Sequence, residues 1–186
     1  MISPAPHNLN EHAFGVDDRQ RISVPSTVLR AGQFNQALPD HSCRAPKLEF
    51  VLGKWVGSAG EKDTGLGAGQ GGFSFDLQLN DKIIVRHNNA SYDSGVRHDD
   101  LMVIYLDTPN GAPRAIYFDS EGHVIRYNVA FPSANTVVFE SDGTQPGPKY
   151  RLSYWLKGSA LDGKFEVAPP GAEYKTYMSW TSKRKG

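Results

Sequence analysis

From about residue 72 onwards, apolar and polar positions alternate with a period of two. Over residues 83–90, Ile83, Val85, His87 and Asn89 share one face of an extended chain, and Ile84, Arg86, Asn88 and Ala90 share the other. Over residues 150–156, Tyr150, Leu152, Tyr154 and Leu156 oppose Arg151, Ser153 and Trp155. This alternation marks a strand with one face turned inward. The pattern predicts strands over residues 55–61, 72–79, 82–92, 100–107, 112–119, 123–131, 135–141, 148–157, 160–168 and 173–182. Between them stand residues that favour turns: Asn80-Asp81, Pro109-Asn110-Gly111, Ser120-Glu121-Gly122, Ser133-Ala134-Asn135, Gln145 to Pro148, and Lys157-Gly158. No span after residue 62 carries a helical period through three turns. About ten short strands joined by tight turns predict an all-β, antiparallel up-and-down barrel, since closure removes exposed strand edges. A flattened sandwich is the alternative.

Residues 1–45 differ in character. They contain Pro4, Pro6, Pro25 and Pro39 and no sustained period, and read as an irregular N-terminal arm. Residues 26–38 have room for a short helix with Ser26 or Thr27 as its cap. Wrapping the barrel, covering its end and linking copies into a homo-oligomer are all roles open to this arm. The barrel domain is expected over residues 46–186. It begins with a helical turn after Pro46 and includes a flexible loop at residues 64–72, which hold five glycines. That loop lacks the Lys and Ser or Thr of a phosphate-cradling motif.

Twenty basic residues balance twenty acidic ones, so the chain has no overall attraction for nucleic acid or anionic membranes. Lys183, Arg184 and Lys185 read as a solvated basic end. The start of the sequence shows no secretory pattern, and no apolar run approaches the roughly 20 residues of a membrane-spanning helix. Cys43 is the single cysteine, which excludes an internal disulfide. A reducing cytoplasm is the expected compartment, with Cys43 chemically inert.

The segment from Phe50 to Gly57, with Gly53-Lys54-Trp55 at its centre, resembles the opening of the calycin superfamily of lipocalins and fatty-acid-binding proteins. In that group a Gly-x-Trp motif follows a short helical turn and starts the first strand. The glycine admits the tight turn, and the tryptophan can plug one barrel end. Residues 101–105, 114–119, 121–126 and 174–180 look like stretches of small bacterial lipocalin-like proteins of undefined function. The resemblance spans about residues 47–183 and implies a calycin-like barrel. Haem-binding members exist in the wider superfamily, but their histidine matches no position here, so no cofactor follows.

The unusual polar run within a strand is Arg86, His87, Asn88 and Asn89. Either Arg86 and Asn88 or His87 and Asn89 turn inward, where they would offer hydrogen bonds to a buried ligand. Tyr105, Tyr117, His123, Tyr127, Arg151 and Tyr154 complete the candidate ligand-binding set, with the tyrosines serving packing as well as stacking. His98, Asp99 and Asp100 invite a metal reading. Neighbours on a strand point oppositely, however, so a polar turn before Leu101 is expected and no metal ligand is assigned. The expected function is binding of a small, partly apolar or amphipathic molecule within the barrel. A small enzyme and a structural or protein-interaction module with a filled barrel remain open. For the enzyme, His87 with Arg86 or Asp93 are the available candidates, although adjacent strand residues do not meet.

Overall fold

Ten antiparallel strands follow one another around a closed barrel in the computed structural model, which describes residues 46–60, 66–107 and 111–186. A 3-10 turn, Pro46–Val51, leads into β1 (Gly53–Ala59). Then come β2 (Gly69–Gln78), β3 (Ile83–Tyr92), β4 (Arg97–Asp107), β5 (Ala112–Asp119) and β6 (Val124–Ser133). The last four are β7 (Thr136–Ser141), β8 (Lys149–Lys157), β9 (Ala160–Ala168) and β10 (Lys175–Arg184). Each strand pairs with its sequence neighbours, and β1 pairs with β10 to close the ring. The up-and-down barrel expected from the alternating pattern is therefore present. The expected arm at residues 1–45, with its short helix and Cys43, lies outside the described residues.

The strand boundaries move in informative ways. β2 begins at Gly69, inside the run expected to be a loop, because Gly69 and Gly71 pair with Tyr92 and Ala90 of β3. β4 begins at Arg97, so His98, Asp99 and Asp100 form strand and not the expected turn. Their ladder partners are Ala90, Asn89 and Asn88. Register thus prevails over local polarity where the inward face can accommodate polar groups.

One end of the barrel is solid. Gly53 takes a φ of 101°, a left-handed conformation open to glycine, and turns the chain from the 3-10 turn into β1. Trp55, 1% exposed, donates its indole N–H to the Val51 carbonyl at 2.8 Å. The Arg184 guanidinium lies 4.5 Å from the centre of that ring and donates to the Leu52 carbonyl. Arg184 is thus the last residue of β10 and a clamp on the plug, not part of a free tail. Behind Trp55 the inward positions carry Phe75, Ile84, Met102, Ile104, Val137, Phe139 and Leu161, all buried. Each such side chain contributes about 1.5–3 kcal/mol on leaving water.

Candidate functional site

The other end of the same lumen is hollow. A cavity of about 490 Å³ opens there. Its space originates in the sequence of β1–β3, whose inward positions include Gly57, Gly69, Gly71 and Ala90. Opposite these small residues stands an apolar wall of Leu152, Phe165, Val167, Met178 and Trp180 from β8–β10. Trp180 packs against Gly163, where an added Cβ would collide with the indole.

The third side of the cavity is polar. Arg86 and Asp100 form an ion pair on its floor, with side chains only 5% and 4% exposed. Asn88 Nδ2 donates to the other Asp100 oxygen at 2.8 Å. Burial is the largest single influence on Arg86 and works against its charge, but Asp100 together with Tyr154 and Tyr117 outweighs it, and the net shift raises the guanidinium pKa. Phe73 and Tyr154 flank the guanidinium, 5.6 and 5.8 Å from ring centre to Cζ. Among the described residues, Arg86 Nε and the Tyr154 hydroxyl are buried without a hydrogen-bond partner.

Above this pair runs a chain of hydrogen bonds towards the mouth. His98 Nε2 lies 3.3 Å from Asp100 Oδ2 and 3.0 Å from the Tyr117 hydroxyl. His98 Nδ1 lies 3.0 Å from Glu121 Oε2. The hydrogen bond to Asp100, opposed by burial and aided by Glu121, pushes His98 up to about 9, so at neutral pH both ring nitrogens donate. Tyr117 O–H in turn donates to Asp119 Oδ2 at 3.2 Å. Burial pushes the Tyr117 phenol up, as do the carboxylates of Asp100 and Asp119. Asp119 Oδ1 accepts the backbone N–H of Glu121 at 3.1 Å and of His123 at 2.8 Å. Its Oδ2 lies 2.9 Å from His123 Nδ1. Burial alone would raise Asp119, but the hydrogen bonds from His123 outweigh it and hold the carboxyl below its usual range.

The candidates chosen from sequence separate into two groups. Arg86, Asn88, Tyr117, His123 and Tyr127 line the cavity, and Tyr154 packs beneath it against Phe73 and Phe75. His87 is exposed on the outer face of β3; Asn89 belongs to the same outward set yet borders the cavity. Tyr105 lines a separate hollow with Arg114, Arg126 and Asn128. Arg151 belongs to another outer cluster, donating to Glu166 Oε2 at 2.7 Å and lying 4.1 Å from the centre of the Tyr174 ring. Asp119 and Glu121 were not among the sequence candidates, and His98 and Asp100 were weighed as metal ligands and set aside as a turn. Asp119, Glu121 and His123 recur at every second position, and that spacing was the available signal.

No family model and no curated protein matches this chain. Among solved structures it is similar to the crystal structure of Rv2717c from M. tuberculosis, with a TM-score of 0.52 and 11% identity. The match covers 76% of this chain and 99% of that one, and it shows a shared fold. No helix among the described residues is long and apolar enough to cross a membrane.

Proposed function

We propose that the barrel captures a small amphipathic molecule in its hollow half. The observation that carries this reading is the division of one cavity into an apolar wall, Leu152, Phe165, Val167, Met178 and Trp180, and a hydrogen-bonding wall, Asn88, His98, Tyr117, Asp119 and His123. A volume near 490 Å³ falls within the roughly 300–1,000 Å³ of pockets that enclose drug-sized ligands. The apolar body would rest against Trp180 and Phe165, and the polar head would exchange hydrogen bonds with His98 and Tyr117. The Gly53-x-Trp55 entry into β1 and the closure of β1 on β10 support a calycin-like identity as part of the same reading. The single cysteine is consistent with work in a reducing cytoplasm.

Native mass spectrometry of the freshly purified full chain, repeated after denaturation, tests the reading. The expected result is one small molecule per folded chain, released on denaturation and displaced by an amphipathic fluorophore such as anilinonaphthalene sulfonate. Absence of a companion molecule, together with no saturable fluorophore binding that Val167→Phe reduces, would sink it.

A second reading has its own observation. His123 lies 2.9 Å from Asp119 at the cavity's edge, and a histidine oriented by a carboxylate can move protons for a bound substrate. Turnover of the co-purified molecule, lost in His123→Ala, would favour an enzyme over a carrier.

A further inference from the structure

We infer that His98, Asp119 and Glu121 form a site for a divalent transition-metal ion, zinc foremost, at the polar rim of the cavity. The residues come from β4, the end of β5 and the turn that follows it. One donor atom from each of His98, Asp119 and Glu121 lies within 4.8 Å of the others. His123 Nδ1 lies outside this trio, 2.9 Å from Asp119 Oδ2, and helps to hold that carboxylate in place. Zinc bonds of about 2.0–2.2 Å set tetrahedral ligands roughly 3.3–3.6 Å apart. The contact between His98 and Glu121, at 3.0 Å, is already that close. The wider separations need a contraction of about 1 Å. Glu121, 42% exposed on a turn, is free to supply it.

Side chains outside the donor set orient it. His98 directs Nε2 at Asp100 and Tyr117, so Nδ1, on releasing its proton and its pairing with Glu121, is the nitrogen that would take the ion. A carboxylate on the far ring nitrogen is the usual support of a metal-binding histidine. Asp100 is itself fixed by Arg86 and Asn88. Asp119 has one oxygen committed to two backbone N–H groups and the other turned towards the cluster. Imidazole mixed with carboxylate selects zinc and its neighbours over calcium, which prefers oxygen alone.

The second, independent observation is the cavity. His98, Asp119 and Glu121 all line it, so an ion held by the three keeps one face towards the lumen. That face would take water or a coordinating head group of a bound molecule, the arrangement of reactive zinc sites and not of closed structural ones. The inference does not depend on the carrier reading, because metal uptake and organic-ligand uptake are measured separately.

Isothermal titration of zinc into the metal-free full chain tests it, alongside Glu121→Gln, His123→Ala and His98→Gln. The expected result is one zinc per chain, with affinity reduced about 10-fold or more in Glu121→Gln and His98→Gln. Circular dichroism confirms that each variant is folded. Should His98→Gln fail to fold, the exposed Glu121→Gln decides the matter. No zinc uptake by the folded wild type would overturn the inference. Uptake undiminished by these changes would do the same, placing the metal on other side chains. Calcium bound as tightly as zinc would overturn the assignment to a transition metal.

Discussion

The two halves of the lumen are built by the same ten strands with the same alternation, yet one is solid and the other hollow. At the solid end the inward positions are large: Trp55, Phe75, Ile104, Phe139 and Leu161. At the hollow end the first strands offer Gly57, Gly69, Gly71 and Ala90 against the aromatic far wall. The backbone is indifferent to this choice; side-chain volume alone turns a core into a receptacle. The Arg86–Asp100 pair marks the border, with Met102 and Ile104 on one side and the hydrogen-bonded rim on the other.

The largest effect is expected at that border. Arg86→Met leaves Asp100 buried with only Asn88 and His98, and should cost about 3–5 kcal/mol, read from the shift of the urea midpoint. A loss below roughly 1 kcal/mol would mean that the border pair is not needed to separate the two halves. Next in size is a matched pair of enlargements. Val137→Phe at the solid end should cost about 1–3 kcal/mol through overpacking. Val167→Phe at the hollow end should cost no more than about 0.5 kcal/mol, since the added ring enters open space. Equal losses would show that the hollow half is as tightly packed as the other.

The smallest effect lies outside the barrel, where an ion cluster has no cavity to serve. Arg151 holds Glu166 below its ordinary value of 4.5; burial opposes this and Lys164 assists. Because the folded pKa is the lower one, the contribution is complete above about pH 4.5 and fades as pH falls through the folded value. Arg151 and Lys164 are each about a third exposed, so Glu166→Gln should cost about 1 kcal/mol or less at pH 7. Its stability should also fall less steeply than the wild type's below pH 4.5. Parallel acid curves for the two proteins would remove Glu166 from the account.

How much of this was legible in the sequence follows from the range of each signal. Strand number and turn positions rest on local features, such as the alternation at residues 150–156 and the glycines at 111, 122 and 158, and these are retained in the structure. The direction in which the β3 residues face was not legible. Ile83 and Ile84 are equally apolar, and alternation yields two faces without saying which is inward. What distinguishes them is the register that sets Asn88 opposite Asp100 and brings Arg86 within reach of it, 14 residues away. The rim cluster was hidden for a related reason. His98 was weighed with its chain neighbours Asp99 and Asp100, whereas its other partners, Tyr117 and Glu121, arrive from β5 and the turn beyond. Arg184 was read as tail because its role depends on Trp55, at the opposite end of the barrel sequence.

That last contact bears on how the protein comes to exist at all. Every strand pairing except one joins neighbours in sequence and can form as the chain lengthens. The exception joins β1 to β10, and within it Arg184 meets Leu52 across 132 residues. Until β10 has been synthesised, β1 keeps a free edge, Trp55 lacks its cover and the ring stays an open ribbon. Completion of the barrel is therefore a late event with a high loop-closure cost. During synthesis the nascent sheet is vulnerable to pairing with other chains, and this vulnerability ends when the final strand docks.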